Sequence, residues 1–265
     1  MELPLIIYQI IFFFTLLVLV VTIAGGFFVG FLWLFRRARP NPYANKLYAL
    51  LLWAFSFTMT DRFLMYSDIA NRHPKFSFLP IYFSFSLGPL LFYYVKSRLY
   101  PKFRLHRADL KHFIFPVVQA IILLYIGFQS DEAKHNFRHY FFSPFYGNFE
   151  KGVYILFFSF YLYSAYRFIG HERILLAKYN SNSSFNNNNL RRQLLITGWL
   201  KRMVKVMFIL FAVNASFILV DYFSFKFFEI NLNTKAMFTA LTELSFASMI
   251  GWLIVNGYFA WRRKI

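Results

Sequence analysis

Residues Tyr82 to Pro116 read YFSFSLGPLLFYYVKSRLYPKFRLHRADLKHFIFP, and their order decides the fold. An apolar run broken by Gly88-Pro89 leads into Lys96-Ser97-Arg98, then Lys102, Arg104, Arg107, Asp109, Lys111 and His112, before a second apolar run begins. That order predicts a transmembrane helix that leaves the bilayer into a strongly basic loop and turns straight back. Lys and Arg collect in short cytoplasmic loops, so this loop is expected inside the cell, and every other segment takes its direction from it.

Composition points the same way. The 265 residues are 58% hydrophobic and 15% charged, more apolar and less charged than ordinary soluble domains. A net charge of +18 would suggest a nucleic-acid partner if the basic residues shared one face, so their distribution matters more than their number. The chain has no cysteine, which excludes disulfides and thiolate metal sites.

Working outward, the sequence predicts an all-α, single-domain protein with seven crossings. The first, about Leu5–Phe35, exceeds the ~20 residues needed to span a bilayer and is too long for a cleaved signal peptide. Gly26 and Gly30 form a GxxxG pair, suited to close packing within the bundle or against another chain. Arg36, Arg37, Arg39, Pro40 and Pro42 close that segment. The second crossing is expected over Leu47 to about Ser67, and the third over Phe76–Val95, with a kink at Gly88-Pro89. The fourth covers about Leu110–Phe128, followed by a polar linker from Ser130 to Lys151. The fifth covers Gly152–Phe168. An inner loop from Gly170 to about Lys201 follows, with a mobile Asn-rich run at Asn180–Asn189 and an interfacial helix at Leu190–Lys201. The sixth and seventh cover Met203–Phe223 and about Ala236–Trp261.

In this topology the loops after crossings one, three and five, with the ends of the crossings that border them and the C-terminal tail, hold 21 of the 29 Lys and Arg, and only Asp109 and Glu172 as acids. The opposite side is balanced in charge. The N-terminus is therefore expected outside and the C-terminus in the cytoplasm. Anionic lipid headgroups are the expected partner of the basic loops. Direct nucleic-acid binding is not expected, because every long periodic segment is taken up by a crossing.

Leu87-Gly88-Pro89-Leu90-Leu91-Phe92-Tyr93-Tyr94-Val95-Lys96-Ser97, then Lys102-Phe103-Arg104, and Arg107-Ala108-Asp109-Leu110 with His112 and Pro116 carry a resemblance. So do Asn45–Leu52, Leu190-Arg191-Arg192 to Trp199-Leu200-Lys201, and Gly251–Tyr258. Over nearly its whole length the chain resembles the seven-helix N-terminal module of membrane-embedded AraC-type regulators of Bacteroidetes. The resemblance implies a sensory module that passes a signal to a cytoplasmic helix-turn-helix domain. The sequence ends at Ile265, where that domain would begin. The expectation is thus a stand-alone relative, or a sensor whose cytoplasmic output partner is a separate protein or a second copy.

Ionisable groups at membrane depth are costly and usually face the bundle interior. Asp61 and Arg62 of crossing two and Glu243 of crossing seven fall in the same outer half. Gln119 and Asn214 lie nearer the midplane. Together they suggest a polar pocket opening outward. The rival reading is that Arg62 pairs with Asp61 or Glu243 only to hold helices together. Gly88 and Pro89 are the candidate pliable point. Asp131, His135 and His139 could share a helix face and hold zinc, although a fourth ligand is missing.

Enzyme signatures are lacking. His171-Glu172 has no second His four residues on, there is no GxSxG, and crossing seven contains no lysine for a retinal Schiff base. The expectation is therefore a sensor or receptor-like module without catalysis or cofactor. A small-solute transporter or channel component, or a structural subunit of a membrane complex, stands as the alternative.

Overall fold

The computed structural model describes residues 3–36, 42–138, 140–142, 147–182 and 187–262. These form helices α1 (Leu3–Leu34), α2 (Pro42–Tyr66), α3 (Ile69–Arg72), α4 (Ser84–Leu99), α5 (Ile114–Gly127), α6 (Asp131–Phe137), α7 (Gly147–Asn182), α8 (Asn187–Phe228) and α9 (Ala236–Arg262). Short 3-10 turns join several of them, and no strand occurs among the described residues. Most of the basic run at 37–41 and of the tail at 263–265 lies outside the described residues.

Helix neighbours form a closed ring in which α1 packs on α2, α2 on α4, α4 on α7, α7 on α8, α8 on α9, and α9 back on α1. α2 also touches α9, and α5 lies outside α4. One end gathers the C-termini of α1, α4 and α9 with the N-terminus of α2. There Trp33 Nε1 donates to Gly257 O (3.1 Å), Tyr48 OH donates to Leu253 O (2.6 Å), and the Tyr48 and Tyr94 rings lie 4.6 Å apart.

Five helical stretches are long and apolar enough to cross a membrane: Ile6–Leu34, Arg107–Gly127, Phe149–Leu176, Arg192–Phe228 and Ala236–Arg262. Their outward faces are apolar, as a lipid solvent requires. On α5, for example, Val117, Val118, Ile121 and Tyr125 are exposed while Gln119, Leu123 and Ile126 are buried. α2 and α4 occupy the interior instead. At 16 residues, α4 is about 24 Å long at ~1.5 Å per residue, and α2 carries Asp61 and Arg62 in its last turns. Protein covers most of both helices, with Pro42, Lys46, Leu50 and Met65 the exposed residues of α2 and none exposed on α4, so neither has to be apolar throughout.

Two expected elements differ. The helix expected from Phe76 begins only at Ser84, so Pro89 falls in its second turn rather than in the middle of a longer helix. Phe78 adopts a left-handed backbone (φ 56°), a conformation that costs a non-glycine residue roughly 1–2 kcal/mol, and this breaks the helical path. Side chains from other helices then cap α4. Phe83 N–H donates to Thr58 Oγ1 (3.0 Å) and Phe85 N–H donates to Gln119 Oε1 (3.3 Å). Two of the donors that every helix start leaves open are thereby satisfied. The second difference is the inner loop. α7 continues to Asn182 and α8 starts at Asn187, so the separate interfacial helix expected at Leu190–Lys201 is the first part of α8. Residues 183–186 of the Asn-rich run lie outside the described residues.

The glycine pair lies between helices of the same chain. A Cβ on Gly26 would collide with Ser56 Oγ and one on Gly30 with the Trp53 indole. Gly88 lies so close to α7 that a Cβ would stand 2.8 Å from Tyr161 Cδ2.

Candidate ligand cavity

At the opposite end of the bundle, the last turns of α2 and α8 meet the first turns of α7 and α9 around a cavity of about 410 Å³. α2 contributes Asp61, Arg62, Met65 and Tyr66, and α9 contributes Thr239, Thr242 and Glu243. The non-helical stretch before α4 supplies Phe78 and Tyr82, while α7 supplies Glu150, Lys151 and Tyr154. Non-helical backbone at this depth is tolerated when it is enclosed by protein or lines a cavity. Ser77 Oγ–H bonded to Ala70 O (2.9 Å) and the N–H of Ile81 bonded to Leu79 O (2.8 Å) take up part of its hydrogen-bonding capacity.

Arg62 and Glu243 form an ion pair at 3.3 Å, with side chains only 16% and 13% exposed. The Arg62 guanidinium also lies 4.3 Å from the Phe246 ring centroid, a stacking contact available to the planar guanidinium. Lys151 and Asp221 make a second, looser pair at 3.8 Å. Arg138 donates to Asn71 Oδ1 (2.6 Å) and sits 5.5 Å from the Phe78 ring. Burial holds the Arg138 guanidinium below its usual pKa, and the nearby Asp61 carboxylate partly offsets this.

Glu150, 5% exposed, was not foreseen as a cavity residue. Its position is set by Gln119, whose amide donates both to Glu150 Oε1 and to Ser84 Oγ (2.9 Å). Gln119 therefore stands behind the cavity, where it joins α4, α5 and α7. Asn214 also stays off the cavity wall. It is fully buried and donates to Ser245 Oγ (2.8 Å), joining α8 to α9.

Of the residues singled out in the sequence, Asp61, Arg62 and Glu243 thus meet at one cavity. Tyr82, Arg138, Glu150, Lys151, Tyr154 and Asp221 join them from segments distant in the chain. Asp61 makes no hydrogen bond or ion pair among the described residues. Arg62 Nε and the Tyr154 hydroxyl are buried and also lack a hydrogen-bond partner among the described residues. Leaving such groups unsatisfied costs about 1–3 kcal/mol each, and Asp61 is the cavity carboxylate that makes no hydrogen bond or ion pair among the described residues.

The zinc candidate divides differently. Asp131 and His135 are both exposed on α6 and His139 lies outside the described residues, while no metal-holding group of His, Cys, Asp and Glu occurs among those described.

At the basic end, a second cavity of about 530 Å³ lies between α4, α7 and α8, lined by Arg98, Tyr100, Glu172, Arg192, Gln193 and Thr197 among others. The Tyr100 hydroxyl donates to Glu172 Oε1, and burial, followed by this carboxylate, pushes the hydroxyl up to about 12. No protein-family model matches the chain, and neither a characterised protein nor a solved structure does.

Proposed function

We propose that the chain is a receptor-like sensor of the bacterial inner membrane. It would cross seven times, with α2 and α4 as the two interior crossings, the N-terminus outside and the C-terminus in the cytoplasm. The single observation that carries this reading is the cavity at the end opposite Arg98 and Arg192, where Asp61 has no hydrogen bond or ion pair among the described residues. A ligand entering there would bias the packing of α2, α4, α8 and α9. The basic end would report the shift to a cytoplasmic output protein or a second copy, as the resemblance to AraC-type membrane modules implies. The basic loops would rest on anionic headgroups.

Two substitutions test the reading. Replacing Glu243 with Gln and Arg62 with Ala separately should leave folded protein whose response to signal is lost. Loss of folded protein in both variants would instead make the pair a helix tie with no sensory role. A second experiment identifies what co-purifies with the cytoplasmic end.

The transporter reading draws on one observation, the non-helical stretch 77–83 beside the cavity, since broken helices line substrate sites in transporters. Solute flux in proteoliposomes separates the two. Turnover across the membrane would defeat the sensor reading.

A further inference from the structure

The cavity's polar groups are unequally committed. Its three cations each have a partner, in Arg62 with Glu243, Lys151 with Asp221 and Arg138 with Asn71. Asp61 has neither a hydrogen bond nor an ion pair among the described residues. Arg62 and Arg138 lie within electrostatic reach of it, but their hydrogen bonds run to other groups. Much of the surrounding wall is aromatic, with Tyr66, Tyr82 and Tyr154 among the lining residues. A free carboxylate beside aromatic faces suits an organic cation, because ring quadrupoles attract an ammonium group and desolvation strengthens that attraction. Metal ions fit less well, since no group of three acidic or imidazole ligands occurs among the described residues.

The Tyr154 hydroxyl, in a side chain only 2% exposed, has no hydrogen-bond partner among the described residues, and neither has Arg62 Nε. Both atoms are enclosed by protein, so recognition of a ligand falls to Asp61 and the aromatic wall. Cavities of this volume fall in the range of small-molecule sites.

We infer that the cavity binds a small organic ammonium compound, its charged nitrogen on Asp61 and its apolar body against the tyrosines. This rests on the cavity being a ligand site, as proposed above, and adds the class of ligand.

The test uses the full chain in lipid nanodiscs and three probes of matched shape: phenethylammonium, 2-phenylethanol and phenylacetate. Phenethylammonium should raise the thermal unfolding midpoint saturably, while the alcohol and the acid leave it unchanged. Asp61→Asn should weaken the ammonium response at least tenfold. Equal shifts from all three probes, a preference for phenylacetate, no shift from any, or an undiminished response in a folded Asp61→Asn protein would each overturn the inference. The comparison among probes needs no variant, so a misfolded Asp61→Asn protein leaves it intact. Spin labels at Lys102 and Arg202 separate the two readings. Ammonium binding without movement there would sink the sensor and keep the ligand class. Movement driven only by a ligand of another charge would do the reverse.

Discussion

The two halves of α2 are built on opposite principles. From Ala44 to Phe55 most side chains are buried, and the contacts are close. Tyr48 fills the space left by Gly257, where a Cβ would stand 2.6 Å from the Tyr48 ring, and its hydroxyl ends on Leu253 O. From Asp61 to Tyr66 no residue is fully buried, and the helix opens onto a cavity lined, among the described residues, by seven Asp, Glu, Lys and Arg side chains. The difference teaches that a helix inside a membrane bundle is not required to be apolar; it is required to have its polar groups matched. In the first half Tyr48 and Trp53 end their polar groups on backbone carbonyls, and in the second Asp61 has no hydrogen bond or ion pair among the described residues.

Four substitutions sharpen that contrast. Arg62→Ala should have the largest effect. It leaves Glu243 at low exposure without its cation and removes the contact with Phe246. Stability in detergent should fall by about 3 kcal/mol, the low end for breaking a buried pair. A loss near zero would mean that water already serves this half of α2.

Next comes Gly257→Ala, which forces a methyl into the Tyr48 ring and should destabilise by about 2 kcal/mol through overpacking. Denaturant unfolding that is unchanged would show that α2 and α9 are not in close contact there.

Gln119→Leu removes the acceptor for Phe85 N–H and the donor to Glu150 and Ser84. A loss of about 1–2 kcal/mol is expected from the buried groups it abandons, along with faster amide exchange at Phe85. Unaltered exchange would count against Gln119 as a cap of α4.

The smallest stability change belongs to Asp61→Asn, within about 0.5 kcal/mol, because Asp61 has no hydrogen bond or ion pair to lose among the described residues. A clear loss of stability would reveal a structural role for Asp61 and close the gap between the two halves of the helix.

How much of this could be read in the sequence follows from the range of the forces involved. The long apolar helices and the bias of basic residues toward one end are local signals and were legible. So was the meeting of Asp61, Arg62 and Glu243, because depth along a helix follows from residue count. The start of α4 was not. It is set by Thr58 and Gln119, which reach it from 25 and 34 residues away, and by the left-handed Phe78. Glu150 was hidden for a similar reason. In the sequence it ends a polar linker, and only its bond to Gln119, 31 residues earlier, turns it into a cavity residue. The α7–α8 hairpin was missed because a run of Asn and Ser reads as linker composition, whereas the helices continue to Asn182 and from Asn187.

The most direct measurement uses the absence of cysteine from the chain. Asp61→Cys and Lys102→Cys are introduced separately and exposed to a membrane-impermeant thiol reagent in intact spheroplasts. The account predicts modification at residue 61 from outside, and modification at residue 102 only after the membrane is inverted. Labelling of residue 102 in intact spheroplasts, with residue 61 protected until inversion, would contradict it.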